Sequence, residues 1–230
     1  MKTTPKIHYK KAVTFSYDDG ISQDKRLVEI FNKYGMKCTF NLNTGIQTSK
    51  NTFEIEGVHI SRMDQEGLDE LYKGHEIASH GLTHSGLNGL SREELEKEFL
   101  TDAQNIERLY GKYPVGMAYA YGDHPQEAVD YLESIGIRYG RTVESTHGFE
   151  LPDNPLLLNP TCHHNDEKLF ELAEEFLQLE GSEENPRLFY IWGHSYEFTV
   201  NNNWERIEKL CQMLSGRDDI FYGTNAECLL

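Results

Sequence analysis

Two adjacent carboxylates, Asp18 and Asp19, close the run Thr14-Phe15-Ser16-Tyr17-Asp18-Asp19-Gly20. Like charges at the end of a buried segment repel unless something positive, such as a metal ion, absorbs them. In isolation, Asp-Asp-Gly is also an ordinary solvated turn carrying a helix N-cap. A second element weighs on the choice: Ser79-His80-Gly81-Leu82-Thr83-His84 holds two histidines four apart, with glycines at 81, 86 and 89. On a helix that spacing puts both imidazoles on one face, and at a strand end followed by one turn it can aim them at a common point. Histidines also cap and pack without binding anything. Taken with the acidic pair, two neutral imidazoles and a carboxylate make a three-ligand set. Such a set leaves open the positions that a hydrolytic metal needs for water and a substrate oxygen.

These residues need elements to carry them. Short β-rich runs (12–17, 37–42, 76–79, 116–121, 138–143, 156–162, 187–192 and 220–222) alternate with amphipathic segments (23–34, 64–72, 92–110, 125–135, 166–179 and 203–214). That is βα repetition. Ser91 and Glu94 form the signature of a capping box. About seven or eight βα units can wind as an open sheet or close as a barrel, and the polar residues favour the barrel. A barrel collects chemistry at the C-terminal ends of many strands, whereas an open sheet concentrates it at one switch point. Here Asp18 and Asp19, His80, Tyr121, Arg141, His163 and His164, and His194 end, or fall late in, six different runs. The expectation is an α/β distorted (β/α) barrel in a single domain, residues 1–230. Consecutive strand residues point to opposite faces, so Asp18 and Asp19 share a site only if the backbone is already turning. Gly20 is expected to supply that freedom.

Composition narrows the partners. With 22 Lys plus Arg against 38 Asp plus Glu the formal net charge is −16, which repels a nucleic-acid backbone over most of the surface. The four cysteines, Cys38, Cys162, Cys211 and Cys228, lack C-x-x-C spacing and read as reduced structural thiols. Residues 1–11 carry four lysines without an apolar segment, and no run approaches the roughly 18 apolar residues of a membrane span. A cytoplasmic protein with no membrane partner is expected.

Tyr17-Asp18-Asp19-Gly20 followed by His80-Gly81-Leu82-Thr83-His84 resembles the first two motifs of the polysaccharide deacetylases, carbohydrate esterase family four, the NodB-homology domain. Met117-Ala118-Tyr119-Ala120-Tyr121-Gly122 is similar to the third motif and Tyr190-Ile191-Trp192-Gly193-His194 to the last, so the resemblance spans nearly the whole chain. It implies that Asp19, His80 and His84 ligate one divalent metal, commonly zinc. It implies that Asp18 is the general base toward water and His194 the general acid toward the leaving amine, and that the Tyr121 backbone N–H stabilises an oxyanion.

Two departures stand out. Many members carry an arginine in the third motif that pairs with the catalytic aspartate, where this chain has Ala118. Arg141, late in the next run, could supply the charge. The fourth motif is not evident, and its place is taken by Asn159-Pro160-Thr161-Cys162-His163-His164-Asn165-Asp166, in which His163 is expected to face the mouth. Trp192 shares a strand face with His194 and could stack on a sugar or fill the core. The expected activity is metal-dependent removal of an N-acetyl group from an amino sugar or soluble oligosaccharide. The alternatives are hydrolysis of a non-sugar C–N bond, in a cyclic amide or ureide, and a non-catalytic carbohydrate-binding protein.

Overall fold

The structure is a computed structural model describing residues 8–230. Residues 1–7, the start of the lysine-bearing segment read above, lie outside the described residues. The first strand, β1 (Lys11–Asp18), is buried along its whole length, and its alternation divides the labour of its faces. Val13, Phe15 and Tyr17 enter the main apolar cluster with Leu27 and Phe31 of the following helix, Asp24–Tyr34. Thr14, Ser16 and Asp18 point the other way. There Thr14 Oγ1 donates to Asn225 Oδ1 at 2.9 Å, and Asn41 Nδ2 donates to Ser16 Oγ at 2.9 Å and to Asp18 Oδ1 at 2.8 Å. The inner face is therefore polar, and its groups are paired as burial demands.

The remaining strands are β2 (Cys38–Leu42), β3 (Thr52–Ile55), β4 (Val58–Ser61), β5 (Glu76–Ser79), β6 (Gly116–Ala118), β7 (Tyr139–Arg141), β8 (Cys162–His163), β9 (Arg187–Gly193) and β10 (Phe221–Tyr222). They run parallel in the order β7-β6-β5-β2-β1-β9-β8, with β10 beside the start of β1 and β3–β4 a separate antiparallel hairpin. The sheet curls into a half-barrel in one domain, and its two ends are linked through Leu158. Leu158 N donates to Gly140 O at 2.8 Å and Thr142 N to Leu158 O at 2.9 Å, while the same run continues into β8 and pairs with β9. The expected distorted barrel is what the chain forms.

Several expected elements change shape. The run 156–162 is not one strand: Pro155–Leu157 is a 3₁₀ turn, Leu158 bridges to β7, and only Cys162–His163 pairs with β9. Pro160 between them has no N–H to give a ladder. The expected helix 64–72 shrinks to Leu68–Leu71 because Gly67 takes φ 83° just before it. The helix from Arg92 forms with its Ser91–Glu94 capping box and runs through a π turn at Glu96–Leu100. The β3–β4 hairpin was not anticipated: Glu56 and Gly57 both adopt positive φ, 50° and 80°. Two such residues make the turn that suits a tight hairpin, but Glu-Gly lacks the usual Asn-Gly signal. This hairpin leads directly into Arg62.

Candidate active site

Strand ends converge at one mouth. Asp18 ends β1, Arg141 ends β7, and His80 and His194 directly follow β5 and β9. Asp19 turns into the same space because its own φ is 81°. Gly20, expected to supply the turn, continues it at φ 58°; the decisive residue is Asp19, and aspartate tolerates left-handed backbone better than most. Arg62 clamps it there: Nη1 donates to the Asp19 carbonyl at 2.6 Å and Nη2 to Oδ1 at 2.8 Å.

His80 is buried, and its Nδ1 lies 2.8 Å from the carbonyl oxygen of Ala118. A carbonyl only accepts, so Nδ1 carries the hydrogen and Nε2 carries a lone pair. That Nε2 is buried and has no hydrogen-bond partner among the described residues. Burial pulls the ring's pKa down to about 4, so it stays neutral. His84, with φ 58°, places Nε2 3.8 Å from Asp19 Oδ1. The donor atoms of Asp19, His80 and His84 lie within 4.8 Å of one another. Two imidazoles, a carboxylate and one uncommitted buried lone pair fit a divalent metal, and the His80–Ala118 contact is the outer hydrogen bond that fixes a ligand's tautomer.

Asp18 is held separately. Arg141 is fully buried, and its Nη2 donates to both Asp18 oxygens, at 2.6 Å to Oδ1. Arg141 stands in register with Ala118 of β6, so the charge absent at Ala118 arrives from the neighbouring strand. Burial alone would raise the Asp18 carboxyl; Arg141, His80 and His194 hold it at about 2, so it is anionic. His80 Nε2 and His194 Nε2 each lie 3.8 Å from Asp18 Oδ2, and His194 Nε2 lies 4.0 Å from Asp19 Oδ2. Burial opposes charge on His194, but Glu197, Asp18 and Asp19 outweigh it and lift its pKa to about 9.

The remaining candidates part company. Tyr121, 69% exposed with φ 58°, sets its ring 4.7 Å from that of His84 at the mouth. Trp192 lies in the wall, one face under the Arg141 guanidinium at 4.4 Å and its ring 4.7 Å from His163. His163, expected to face the mouth, is tied to its neighbours: its Nδ1 accepts from Asn165 N at 3.1 Å and its Nε2 lies 3.1 Å from Glu197 Oε2. Both nitrogens are engaged within the chain. Neighbouring His164, unassigned in the sequence, is buried between the rings of Tyr17 and Phe198, over Gly193, where a Cβ would lie 2.1 Å from its Nδ1. Sequence reasoning missed Arg62, Asn41 and Glu197. Only Glu197 left a trace, three residues beyond His194 and so on the same helical turn.

The family model for polysaccharide deacetylase matches residues 6–140, more than half of the chain, and the chain belongs to that family. Arg141, His163, Trp192, His194 and Glu197 lie beyond the matched stretch. The polysaccharide-deacetylase homologue YxkH of Bacillus subtilis (strain 168) is 25% identical over 146 residues, which cover 63% of this chain and 49% of YxkH. The chain thus spans about half the length of that relative. Among solved structures, a polysaccharide-deacetylase homologue from Mycobacterium smegmatis matches with a TM-score of 0.66 at 16% identity, covering 99% of this chain and 91% of its own. A family 4 carbohydrate esterase from Streptomyces lividans, in complex with acetate, matches with a TM-score of 0.58 at 14% identity over 90% and 88% of the two chains. At such identities these structures speak for the fold.

Proposed function

We propose that the protein is a metal-dependent deacetylase that hydrolyses the N-acyl group of an amino sugar or oligosaccharide. The observation that carries this reading is the placement of an arginine-held carboxylate, Asp18, and a histidine, His194, on the rim of the Asp19–His80–His84 set, with both His80 and His194 Nε2 3.8 Å from Asp18 Oδ2. Asp19, His80 and His84 would hold the divalent ion, zinc in our reading, whose chemistry is to polarise the acyl carbonyl and acidify water.

This chain's own groups do the rest. Asp18, already anionic, takes a proton from the attacking water as its oxygen bonds to the acyl carbon. Arg141 keeps that carboxylate in place. The Tyr121 N–H faces the oxyanion that develops on the acyl oxygen. As the C–N bond breaks, His194 Nε2 gives its proton to the leaving nitrogen, releasing acetate and a free amine. Tyr121, the exposed aromatic at the mouth, offers a sugar ring a surface to stack on, whereas Trp192 has one face covered by Arg141.

The test is acetate release from N-acetylglucosamine and its short oligomers by zinc-loaded and chelator-treated protein. Release that stops on chelation, returns with metal and falls about 10²–10⁴-fold in Asp18→Asn supports the reading. Turnover of a cyclic amide or ureide instead, or sugar binding with no acetate from the metal-loaded protein, contradicts it.

A further inference from the structure

Glu197 sits behind His194 with two further histidines, and this group has the composition of a second metal site: the donor atoms of His163, His164 and Glu197 also lie within 4.8 Å of one another. We propose that it is not one, and that Glu197 is a positioning residue for His194, pinned from behind by His163 and His164. The inference builds on the acid role of His194 in the reading above.

Three observations converge. His163 Nδ1 accepts the backbone N–H of Asn165 at 3.1 Å, so the neutral ring keeps its hydrogen on Nε2 and has no lone pair there for an ion. Spacing agrees. Nε2 of His163 and of His164 stand 3.1 and 2.9 Å from the same oxygen, Glu197 Oε2. Ligands bound at about 2.0–2.1 Å around a tetrahedral zinc stand about 3.4 Å apart, so these pairs are closed to hydrogen-bonding range, although neither angle makes a well-aligned bond. In the Asp19 set the His84 to Asp19 separation is 3.8 Å, which leaves room.

The third observation is the direction left free. Glu197 Oε2 accepts the His194 backbone N–H at 3.4 Å and lies 3.1 and 2.9 Å from Nε2 of His163 and of His164, while Oε1 lies 3.4 Å from His194 Nδ1. That Nδ1 is buried and has no hydrogen-bond partner among the described residues. A carboxylate can only accept. Facing Nδ1, it therefore selects the ring form with hydrogen on Nδ1 and turns Nε2 toward Asp18 and Asp19. When Nε2 gives up its proton, the neutral form left behind is the one Glu197 already holds.

The experiment is two-bond ¹H–¹⁵N correlation spectroscopy on metal-loaded protein labelled at histidine, with the His194 signals identified by their loss in His194→Gln, alongside metal counting. Expected are a protonated Nδ1 on His194 at every pH at which the protein is folded, and one metal ion per chain. In Glu197→Gln the side-chain amide presents N–H to Nδ1, so the ring changes to the Nε2–H form. The value of kcat then falls on the order of a hundredfold with KM within about twofold and metal content unchanged. A wild-type His194 whose hydrogen sits on Nε2 alone, or a second ion lost in His163→Gln, overturns the proposal. The wild-type spectrum and metal count decide even if Glu197→Gln fails to fold. The expected ring forms in a protein without turnover would remove the assigned reaction and leave the positioning role standing.

Discussion

The two histidine–carboxylate groups at this mouth share a composition and differ in which backbone group, a carbonyl or an N–H, has taken the histidine Nδ1. A carbonyl, Ala118 O, occupies His80 Nδ1 and frees Nε2 as a lone pair; an N–H, that of Asn165, occupies His163 Nδ1 and leaves Nε2 as a donor. The carboxylates differ too. Arg62 grips Asp19 and fixes it at 3.8 Å from His84, whereas Glu197 is drawn to within 2.9 and 3.1 Å of its histidines. Residue types alone therefore do not make a metal site. The backbone partner on the far side of each ring decides whether the near side can take an ion or must give a proton.

The largest test of that contrast is His80→Ala, which is expected to abolish stoichiometric zinc binding in equilibrium dialysis, while His163→Gln keeps one ion per chain. Next comes Arg141→Met, which leaves Asp18 buried without its cation; urea unfolding is expected to show a loss of about 3–5 kcal/mol, with kcat depressed. An unchanged rate and pH–rate profile in that variant would mean that Arg141 does not hold Asp18. Arg62→Met removes the clamp on Asp19 and is expected to weaken metal affinity about 10–100-fold by titration calorimetry, with no change in the His194 ring form.

The smallest effect lies under the second group. Buried Asp24 accepts from Ser195 Oγ, next to His194, and from Tyr72 Oη, and burial lifts its carboxyl to about 7. A carboxyl raised on folding binds its proton more tightly in the folded state. Its contribution is complete below the unfolded value near 4 and is lost as pH rises toward 7. Relative to Asp24→Asn, wild-type stability is expected to decline as pH rises over that interval in chemical unfolding. Asp18, held at about 2, has the opposite sign: its contribution is present above the unfolded value and is lost as pH falls through 2.

Much of the fold was legible because alternation along β1 and the repetition of βα units are local signals, and the late polar residue in many runs pointed to a barrel. What escaped were features set by one unusual backbone angle or by distant packing. Glu56 at φ 50° made a hairpin without the usual turn residues, and Arg62 reached Asp19 only because of that hairpin. Asp18, Asp19, His80, His84 and His194 do meet at one mouth, and a motif gives no sign of the side chains behind them. Ala118 looked like a missing charge until strand register set Arg141 beside it. For His163, a sequence cannot tell which of its nitrogens the Asn165 N–H will claim.

Anomalous diffraction from crystals grown with zinc tests the central contrast most directly. The account predicts one strong peak, bound by Asp19, His80 and His84 at about 2.0–2.2 Å, and no density among His163, His164 and Glu197. A peak in the second group, or none in the first, would contradict it.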